Sequence, residues 1–473
     1  MTNTLLLRTI RQLGAKDLRS LAELVRCGAF NRRLEVTRLY DYLAAQVVKT
    51  DRKLLEPERL FAAAFPNQTY DNALLRHTMS YLLDVIRQYL AWAEWQADPA
   101  EQQRYLLRAL RNRGLDTLAE KEGQRADAEM ERAATRDAQY HFRRYQLHQE
   151  QLERTARHER SAGINLQPLP DALTIFYVAE MLRHACSALS HQAIAGQHYR
   201  FGLLETILEA AEREALLHEP VVAIYYHAYK MLQLPEAPEH FEKLKSLMET
   251  HENTFARDEI RGLFLLAING CIRRMNTGQR QYIREAFDLY RAALQRDFLT
   301  ENGLLSGFTY KNIIRTGAAL GEHAWTEQFA EQYRASLHPR ERDNLYRYNR
   351  AFLYFQQQDY ARAMPLLQQV DLEDPLNNLD ARRMLLRSYF ELGEWQALES
   401  LVQSFSAYLR RQKNLGYHRQ TNEKLLYFIK KLMDMDKNDR KARAALRAEL
   451  DATPEVAEWA WLSRLADGST NIF

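Results

Sequence analysis

The stretch QDYARAMPLLQQVDLEDP occupies residues 358–375, and 35 residues after it starts, GEWQALESLVQSF (393–405) repeats its pattern. In each stretch an aromatic residue follows a turn, and a small or apolar residue comes three positions later: Ala363 after Tyr360, and Leu398 after Trp395. Residues spaced by three, four or seven lie on one face of a helix. The pattern therefore predicts helical hairpins that recur along the chain.

The same pattern extends toward the N-terminus. Trp325 precedes Tyr360 by 35 residues, and on the preceding helices Tyr354 and Tyr389 are also 35 residues apart. Phe241 and Tyr282 are candidates for earlier members, at intervals of 41 and 43 residues. Because a lone hairpin cannot bury both faces, stacked hairpins are expected to share one apolar layer, with the aromatic residues filling the gaps between helices.

A period in the mid-thirties with two helices per unit resembles the tetratricopeptide repeat. The unit at 344–377 matches the small, aromatic and proline positions of that family, and the next unit matches it at Gly393 and at two aromatic residues. The matching residues are Ala351, Tyr354, Tyr360, Ala363, Leu367, Pro375, Tyr389, Gly393, Trp395 and Val402. The resemblance implies an all-α fold, an α-α superhelix, whose concave face is lined by the first helices and binds a partner.

The whole chain also resembles an uncharacterised bacterial family. The segments that carry this resemblance are GAFNRR (28–33), LFAAAFPNQTYDNALLRHTMSYLLDV (60–85) and RDAQYHFRRYQLHQEQ (136–151). The resemblance supports the order of the segments that the residue pattern predicts: an N-terminal helical module (1–98), a long charged helical segment (99–162), divergent hairpins (163–308), the tetratricopeptide-like repeats (309–408) and basic capping helices (409–473). The charged stretch at 124–160 also allows a regulatory or assembly subunit in which this helix pairs chains. The sequence leaves the oligomeric state open.

Composition indicates a helical protein with a substantial core. Apolar residues make up 46% of the 473 residues, whereas Gly and Pro number only 17 and 12. The cysteines, Cys27, Cys186 and Cys271, form no CxxC pair, which is typical of a reducing compartment. No secretory signal and no membrane span are expected, because the apolar runs are too short for either. We expect a cytoplasmic protein that contacts no membrane.

The sequence offers no catalytic motif. It contains no GxGxxG or P-loop pattern, and GLLSG (303–307) has the wrong spacing for a nucleophile elbow. His184, His191 and His198 are seven residues apart, a separation of about 10 Å along a helix, which is too far to share a metal ion. We therefore expect a protein that is not an enzyme and that uses no metal and no cofactor.

Two binding hypotheses remain. The first is a scaffold that binds a protein or peptide on the concave face, where Arg383 and Arg387, one helical turn apart, are predicted to grip a carboxylate. The predicted partner-binding residues are Tyr310, Tyr348, Asn349, Arg383 and Arg387, and Phe352 shares that face. Asn349 matches an Asn position that tetratricopeptide domains use to hold a peptide C-terminus, but the two arginines do not match the clamp positions of the family.

The second hypothesis is nucleic-acid binding by the basic C-terminal region, 406–447. Residues 408–447 hold twelve Lys and Arg against four Asp and Glu, and tyrosines are interspersed among them. Basic residues neutralise phosphates, and exposed tyrosines stack on bases. The candidate basic patch consists of Arg410, Arg411, Lys413, Arg419, Lys424, Lys430 and Lys431. The apolar residues between them also fit a closing helix with a solvated face.

Overall fold

The computed structural model describes residues 4–47, 55–158, 165–195, 197–372, 374–412, 415–436 and 439–468. Within these ranges the chain is almost entirely α-helical, which confirms the predicted all-α class. The chain divides into two compact units, Met1–Tyr177 (unit 1) and Val178–Phe473 (unit 2). No helix within the described ranges is long and apolar enough to cross a bilayer.

Unit 1 contains eight complete helices and the first part of a ninth among its described residues. They are α1 (Leu5–Gln12), α2 (Ala15–Arg26), α3 (Leu34–Val47), α4 (Pro57–Ala64), α5 (Asn72–Ala97), α6 (Pro99–Asn112), α7 (Asp116–Arg132), α8 (Ala138–His158) and α9 (Pro168–Ala195), which continues into unit 2.

The core of unit 1 lies among α1 to α5. Leu21, Leu39, Leu60, Leu75 and Ile86, one or more from each of α2 to α5, are fully buried in it. The charged stretch that follows forms two helices, α7 and α8, and both pack on α6. There the buried Glu150 carboxylate accepts ion pairs from Arg108 and Arg111 of α6, each at 3.0 Å. This charged segment therefore packs inside unit 1, and its predicted role in pairing chains stays a prediction.

Unit 2 contains the remaining helices and one short hairpin. The elements are α10 (Leu204–Arg213), α11 (Pro220–Gln233), α12 (Pro238–His251), α13 (Arg257–Asn276), α14 (Tyr282–Gln295), β1 (Thr300–Glu301), β2 (Leu304–Leu305), α15 (Gly307–Ala319), α16 (His323–Gln332), α17 (Arg342–Gln356), α18 (Tyr360–Leu367), α19 (Pro375–Leu392), α20 (Trp395–Arg411), α21 (Tyr417–Asp434), α22 (Arg440–Ala452) and α23 (Trp459–Ala466).

The helices from α11 to α20 pack as consecutive pairs. Each odd-numbered helix packs on the next even-numbered one, and each even-numbered helix packs on the odd-numbered helix after it. First helices of neighbouring pairs also touch, as α11 does with α13, α15 with α17, and α17 with α19. This is the packing expected of a helical repeat, because every pair completes the apolar interior of its neighbour.

The last three of these pairs share one turn. Gly321, Gln358 and Gly393 adopt the left-handed conformation, with φ of 74°, 61° and 71°. In each turn the N–H of the next residue donates to the carbonyl five positions earlier at 2.9 Å, the longer bond of a Schellman motif. The second helix begins two residues after the left-handed residue in all three cases. The repeat is therefore marked by backbone conformation at intervals of 37 and 35 residues.

Tyr360 and Trp395 occupy equivalent places in this turn, as the sequence predicts. Each is the first residue of its helix, and each ring meets edge-on the phenylalanine five residues before it: Phe355 at 5.6 Å and Phe390 at 5.4 Å between ring centroids. The ring of Trp395 is nevertheless 40% exposed, so it does not fill a gap between helices as expected. The interior is filled instead by residues three positions further on, Ala363 and Leu398, which are fully buried.

Trp325 is not equivalent to the other two aromatic residues, which corrects the predicted register. Its helix begins at His323, so Trp325 lies two residues further along the helix. Its ring stacks on Phe329 and meets Phe287 of α14 edge-on, with centroids 5.5 and 4.9 Å apart. The 35-residue step from Trp325 to Tyr360 is therefore a coincidence of sequence, because the structural step is 37 residues.

One element departs from the expected absence of strands. Thr300–Glu301 and Leu304–Leu305 pair antiparallel around Asn302 and Gly303. Both turn residues have positive φ, 52° and 76°, which Asn-Gly tolerates and which suits a tight hairpin. The strands are only two residues long, so period-two alternation could not reveal them.

Candidate partner-binding site

A cavity of about 370 Å³ opens on the first helices α15 and α19 and on α21. Two leucines and six polar or charged residues line it, and we call it the basic cleft. The polar and charged residues are Lys311, Arg315, Asn377, Asp380, Arg383 and His418. With His418 neutral, three cations face one carboxylate, which gives the lining a net charge of +2.

Asp380 organises the cationic side chains. Its Oδ2 accepts hydrogen bonds from Arg315 Nη2 at 2.7 Å and from the Tyr348 hydroxyl at 2.6 Å, and its Oδ1 accepts one from Arg383 Nη2 at 2.8 Å. Arg315 also donates to the Tyr348 hydroxyl at 2.8 Å. Asp380 on α19 thus holds the guanidinium groups of Arg383, on the same helix, and of Arg315, on α15, two helix pairs earlier. The buried Tyr348 hydroxyl is bonded to the same carboxylate.

The pKa values of Asp380 and Lys311 both shift because of this arrangement of charges and of burial. Burial acts to raise the pKa of Asp380, but the Tyr348 hydrogen bond and the charges of Arg315 and Arg383 outweigh it, so the pKa lies below its usual value. In the described part of the chain, the Lys311 ammonium donates to the Asn377 side-chain oxygen alone, at 2.5 Å. Burial, reinforced by the Arg315 charge, lowers the pKa of Lys311. The cleft therefore holds more positive charge than its own carboxylate balances.

Helices α19 and α21 meet the cleft near their N-termini. Asn377 is the third residue of α19, and His418 is the second residue of α21. The first turn of a helix carries partial positive charge, which favours anions. The helix ends therefore add to the positive potential that the side chains create.

Three of the five predicted partner-binding residues are buried and do not line an open groove. Tyr310 is fully buried, and its hydroxyl donates to the Ala330 carbonyl at 2.8 Å, which ties α15 to α16. Tyr348 is 1% exposed and does not line the basic cleft, although its hydroxyl donates to Asp380, which does. Asn349 is also 1% exposed, and its amide donates to the Leu345 carbonyl at 2.8 Å. Their periodicity is that of the interior between helices, which corrects the predicted orientation.

The two predicted arginines have different surroundings. Arg383 lines the basic cleft. Arg387, one helical turn later, contacts α23 and Glu458, the residue directly before that helix. Its guanidinium lies 3.6 Å from Glu458, and its centre is 5.5 Å from the centroid of the Trp461 ring. The expected joint grip of Arg383 and Arg387 on one carboxylate therefore does not match this geometry. The structure instead brings Arg383 together with Lys311 and Arg315.

Sequence reasoning missed Lys311, Arg315, Asp380 and His418. The first two are cations at i and i+4 of one helix, an unfavourable arrangement unless an anion compensates it. That spacing was the available local signal. Asp380 lies 65 residues away from Arg315, so nothing local indicated that it compensates this charge.

The predicted basic patch is partly neutralised. Lys431 pairs with Glu449 at 2.6 Å, Lys424 donates to the Pro454 carbonyl at 2.7 Å, and Arg419 donates to the Gln412 carbonyl. Exposed residues of the patch are Arg410, Arg411, Lys430 and Lys431. Lys413 lies outside the described residues.

The described parts of the chain contain no group of three or more His, Cys, Asp or Glu side chains that could hold a metal ion. The fold and the basic cleft thus define an all-helical protein with consecutively packed helices and a cationic cleft on its first helices. No protein-family model, no curated protein and no solved structure matches this chain.

Proposed function

We propose that unit 2 is a tetratricopeptide-like superhelical scaffold, without enzymatic activity, that binds an anionic segment of a protein partner in the basic cleft. The observation that carries this proposal is the convergence of Lys311, Arg315 and Arg383 around a single carboxylate in a cavity. Arginine and lysine hold carboxylates and phosphates through charge-assisted hydrogen bonds. A cavity with surplus cations is therefore suited to an acidic group.

Contacts across the first helices support a concave face. The side chains of Lys311 and Arg315 on α15 reach Asn377 and Asp380 on α19, although α17 lies between these helices in the order of packing. Helices two pairs apart meet through side chains only where the stack bends toward them. These contacts support our proposal that the basic cleft lies on the inner side of a superhelix, where repeat proteins bind their partners.

Affinity capture from a native lysate of the source cells tests this function. The full chain would be compared with the double variant Lys311→Gln/Arg383→Gln and with Arg362→Gln as control, because Arg362 is an exposed arginine on α18 that pairs with Asp359 outside the cleft. We expect a defined set of proteins that the wild type and the control retain and the double variant loses. Identical capture by all three proteins would refute the proposal.

Nucleic-acid binding by the C-terminal region is the alternative, and its support is weaker. Within the patch, Arg419, Lys424 and Lys431 have internal partners, and Tyr427 hydrogen-bonds to Glu449. Fluorescence anisotropy with labelled single-stranded RNA and duplex DNA, at about 50 and 200 mM salt, decides between the two. Binding that falls steeply with salt and is lost in Arg410→Gln/Arg411→Gln would favour nucleic acid.

A further inference from the structure

The net positive charge of the basic cleft indicates which class of anion it binds. This inference rests on the proposed function. A carboxylate carries one negative charge, and so does each phosphodiester of a nucleic acid. A phosphate monoester carries nearly two above its second pKa of about 6. Counted over the described residues, the lining carries a net +2. Asp374, whose charge also acts on Lys311, caps α19 and does not line the cleft. Only a dianion balances this charge with a single group.

Unused hydrogen-bond donors indicate the same class of ligand. Among the described residues, the buried Nε–H groups of Arg315 and Arg383 find no hydrogen-bond acceptor, although both guanidinium groups bond to Asp380 through Nη2. A buried donor without an acceptor is costly. A phosphoryl group presents three strong acceptor oxygens, whereas a carboxylate presents two. One phosphoryl group has enough acceptors for both guanidinium groups and for the Lys311 ammonium.

The basic cleft is larger than a phosphoryl group, and part of its lining is apolar. Its volume of about 370 Å³ exceeds the space that a phosphoryl group alone needs, and Leu376, which is 48% exposed, forms part of its lining. A side chain that flanks the phosphoryl group would contact this leucine. We propose that the basic cleft binds a phosphate monoester carried by a serine or threonine side chain of the partner.

Isothermal titration of the full chain with small probes tests this proposal. The probes are N-acetyl-O-phosphoserine amide, N-acetyl-glutamate amide, dimethyl phosphate and inorganic phosphate, each up to about 20 mM at pH 7.5 and constant ionic strength. We expect phosphoserine amide to bind at least about tenfold more tightly than the glutamate probe or the diester, which corresponds to one further charge-assisted hydrogen bond. The preference should shrink at pH 5, where the monoester loses most of its second charge.

Two variants locate the binding. Arg383→Gln and, independently, Lys311→Gln should each weaken phosphoserine amide by about tenfold or more, whereas Arg362→Gln should leave it unchanged. Circular dichroism would establish that each variant is folded, and Lys311→Gln leaves the Asp380 hydrogen bonds intact.

The remaining outcomes separate this proposal from the proposed function. Equal affinity for glutamate amide and phosphoserine amide, both lost in Arg383→Gln, would overturn the dianion while leaving an anion-binding scaffold in place. Tighter binding of inorganic phosphate than of phosphoserine amide would overturn the assignment to a protein side chain. No binding of any probe would overturn the dianion proposal, and the lysate capture would still judge the scaffold independently.

Discussion

Replacing Asp380 by Asn should destabilise unit 2, because one carboxylate holds Arg315, Arg383 and the buried Tyr348 together. The amide keeps one oxygen acceptor and turns its NH2 group toward one of the guanidinium groups. At least one charge-assisted hydrogen bond is lost, worth about 1.5–3 kcal/mol. The two arginines also lose their shared countercharge. The Asp380 side chain is 24% exposed, so water moderates this loss, and we expect a total of about 2–3 kcal/mol.

Urea unfolding, followed by the tryptophan fluorescence of unit 2, measures this change in the free energy of unfolding. In a unit of this size it corresponds to a lower melting temperature, by about 3–5 °C. Asp343→Asn is the matched control, because Asp343 pairs with Arg334 at 3.0 Å on the surface and outside the cleft. The control should unfold as the wild type does. The reasoning is refuted if the two variants are equally stable at pH 7.

The pH dependence gives a second test of the same reasoning. Because the pKa of folded Asp380 is below its usual value, its stabilising effect is complete above the unfolded-state pKa of about 3.9. That effect disappears as the pH falls through the lower, folded-state pKa. The stability difference between wild type and Asp380→Asn should therefore be constant from pH 7 to 5 and shrink below about pH 4. A difference that persists undiminished at pH 2 would contradict the assigned cause.

Three further predictions concern the packing of unit 2. Gly317→Ala should cost about 1–3 kcal/mol by overpacking, because its Cβ would collide with Thr326 Oγ1. Urea unfolding measures this loss of stability, and an unchanged midpoint would contradict the close contact between the helices. Gln358→Gly should stabilise the fold by up to about 1 kcal/mol, since Gln358 has a φ of 61°, whereas Gln357→Gly, at a φ of −77°, should destabilise it. Glu458→Gln removes an ion pair to Arg387 and should speed amide hydrogen exchange in α23 more than in α21; equal protection in both proteins would show that this contact does not hold α23.

The features of the fold that the sequence predicts correctly are those that a pattern of neighbouring residues marks. The register from Tyr360 to Trp395 is correct because both residues begin the second helix of a pair, directly after the same turn. The preceding step was misassigned because the equivalent position holds His323, which carries no aromatic marker, while Trp325 happened to lie at the expected interval. The left-handed residues mark the turns more reliably, but Gln358 occupies one of them and hides the pattern.

The site was less accessible to sequence reasoning than the fold. The sequence predicts that Arg383 and Arg387, neighbours on one helix, grip a carboxylate together, but Glu458 holds the Arg387 side chain. Arg383 pairs with Asp380 of its own helix and lines the cleft together with Lys311 and Arg315 of α15, two helix pairs earlier in the chain. Only the packing of first helices brings these side chains together. Helical periodicity predicts which face a residue occupies. It does not predict whether another helix covers that face, as happens at Tyr310 and Asn349.

We propose that unit 2 holds its partner in the basic cleft. A crystal structure of the full chain with a phosphoserine peptide from a partner captured by the wild type tests this most directly. We expect phosphoryl oxygens within hydrogen-bond distance, about 2.7–3.2 Å, of Arg315, Arg383 and Lys311. A peptide bound on another surface, with the three side chains arranged as they are without it, would show that the basic cleft is not the binding site.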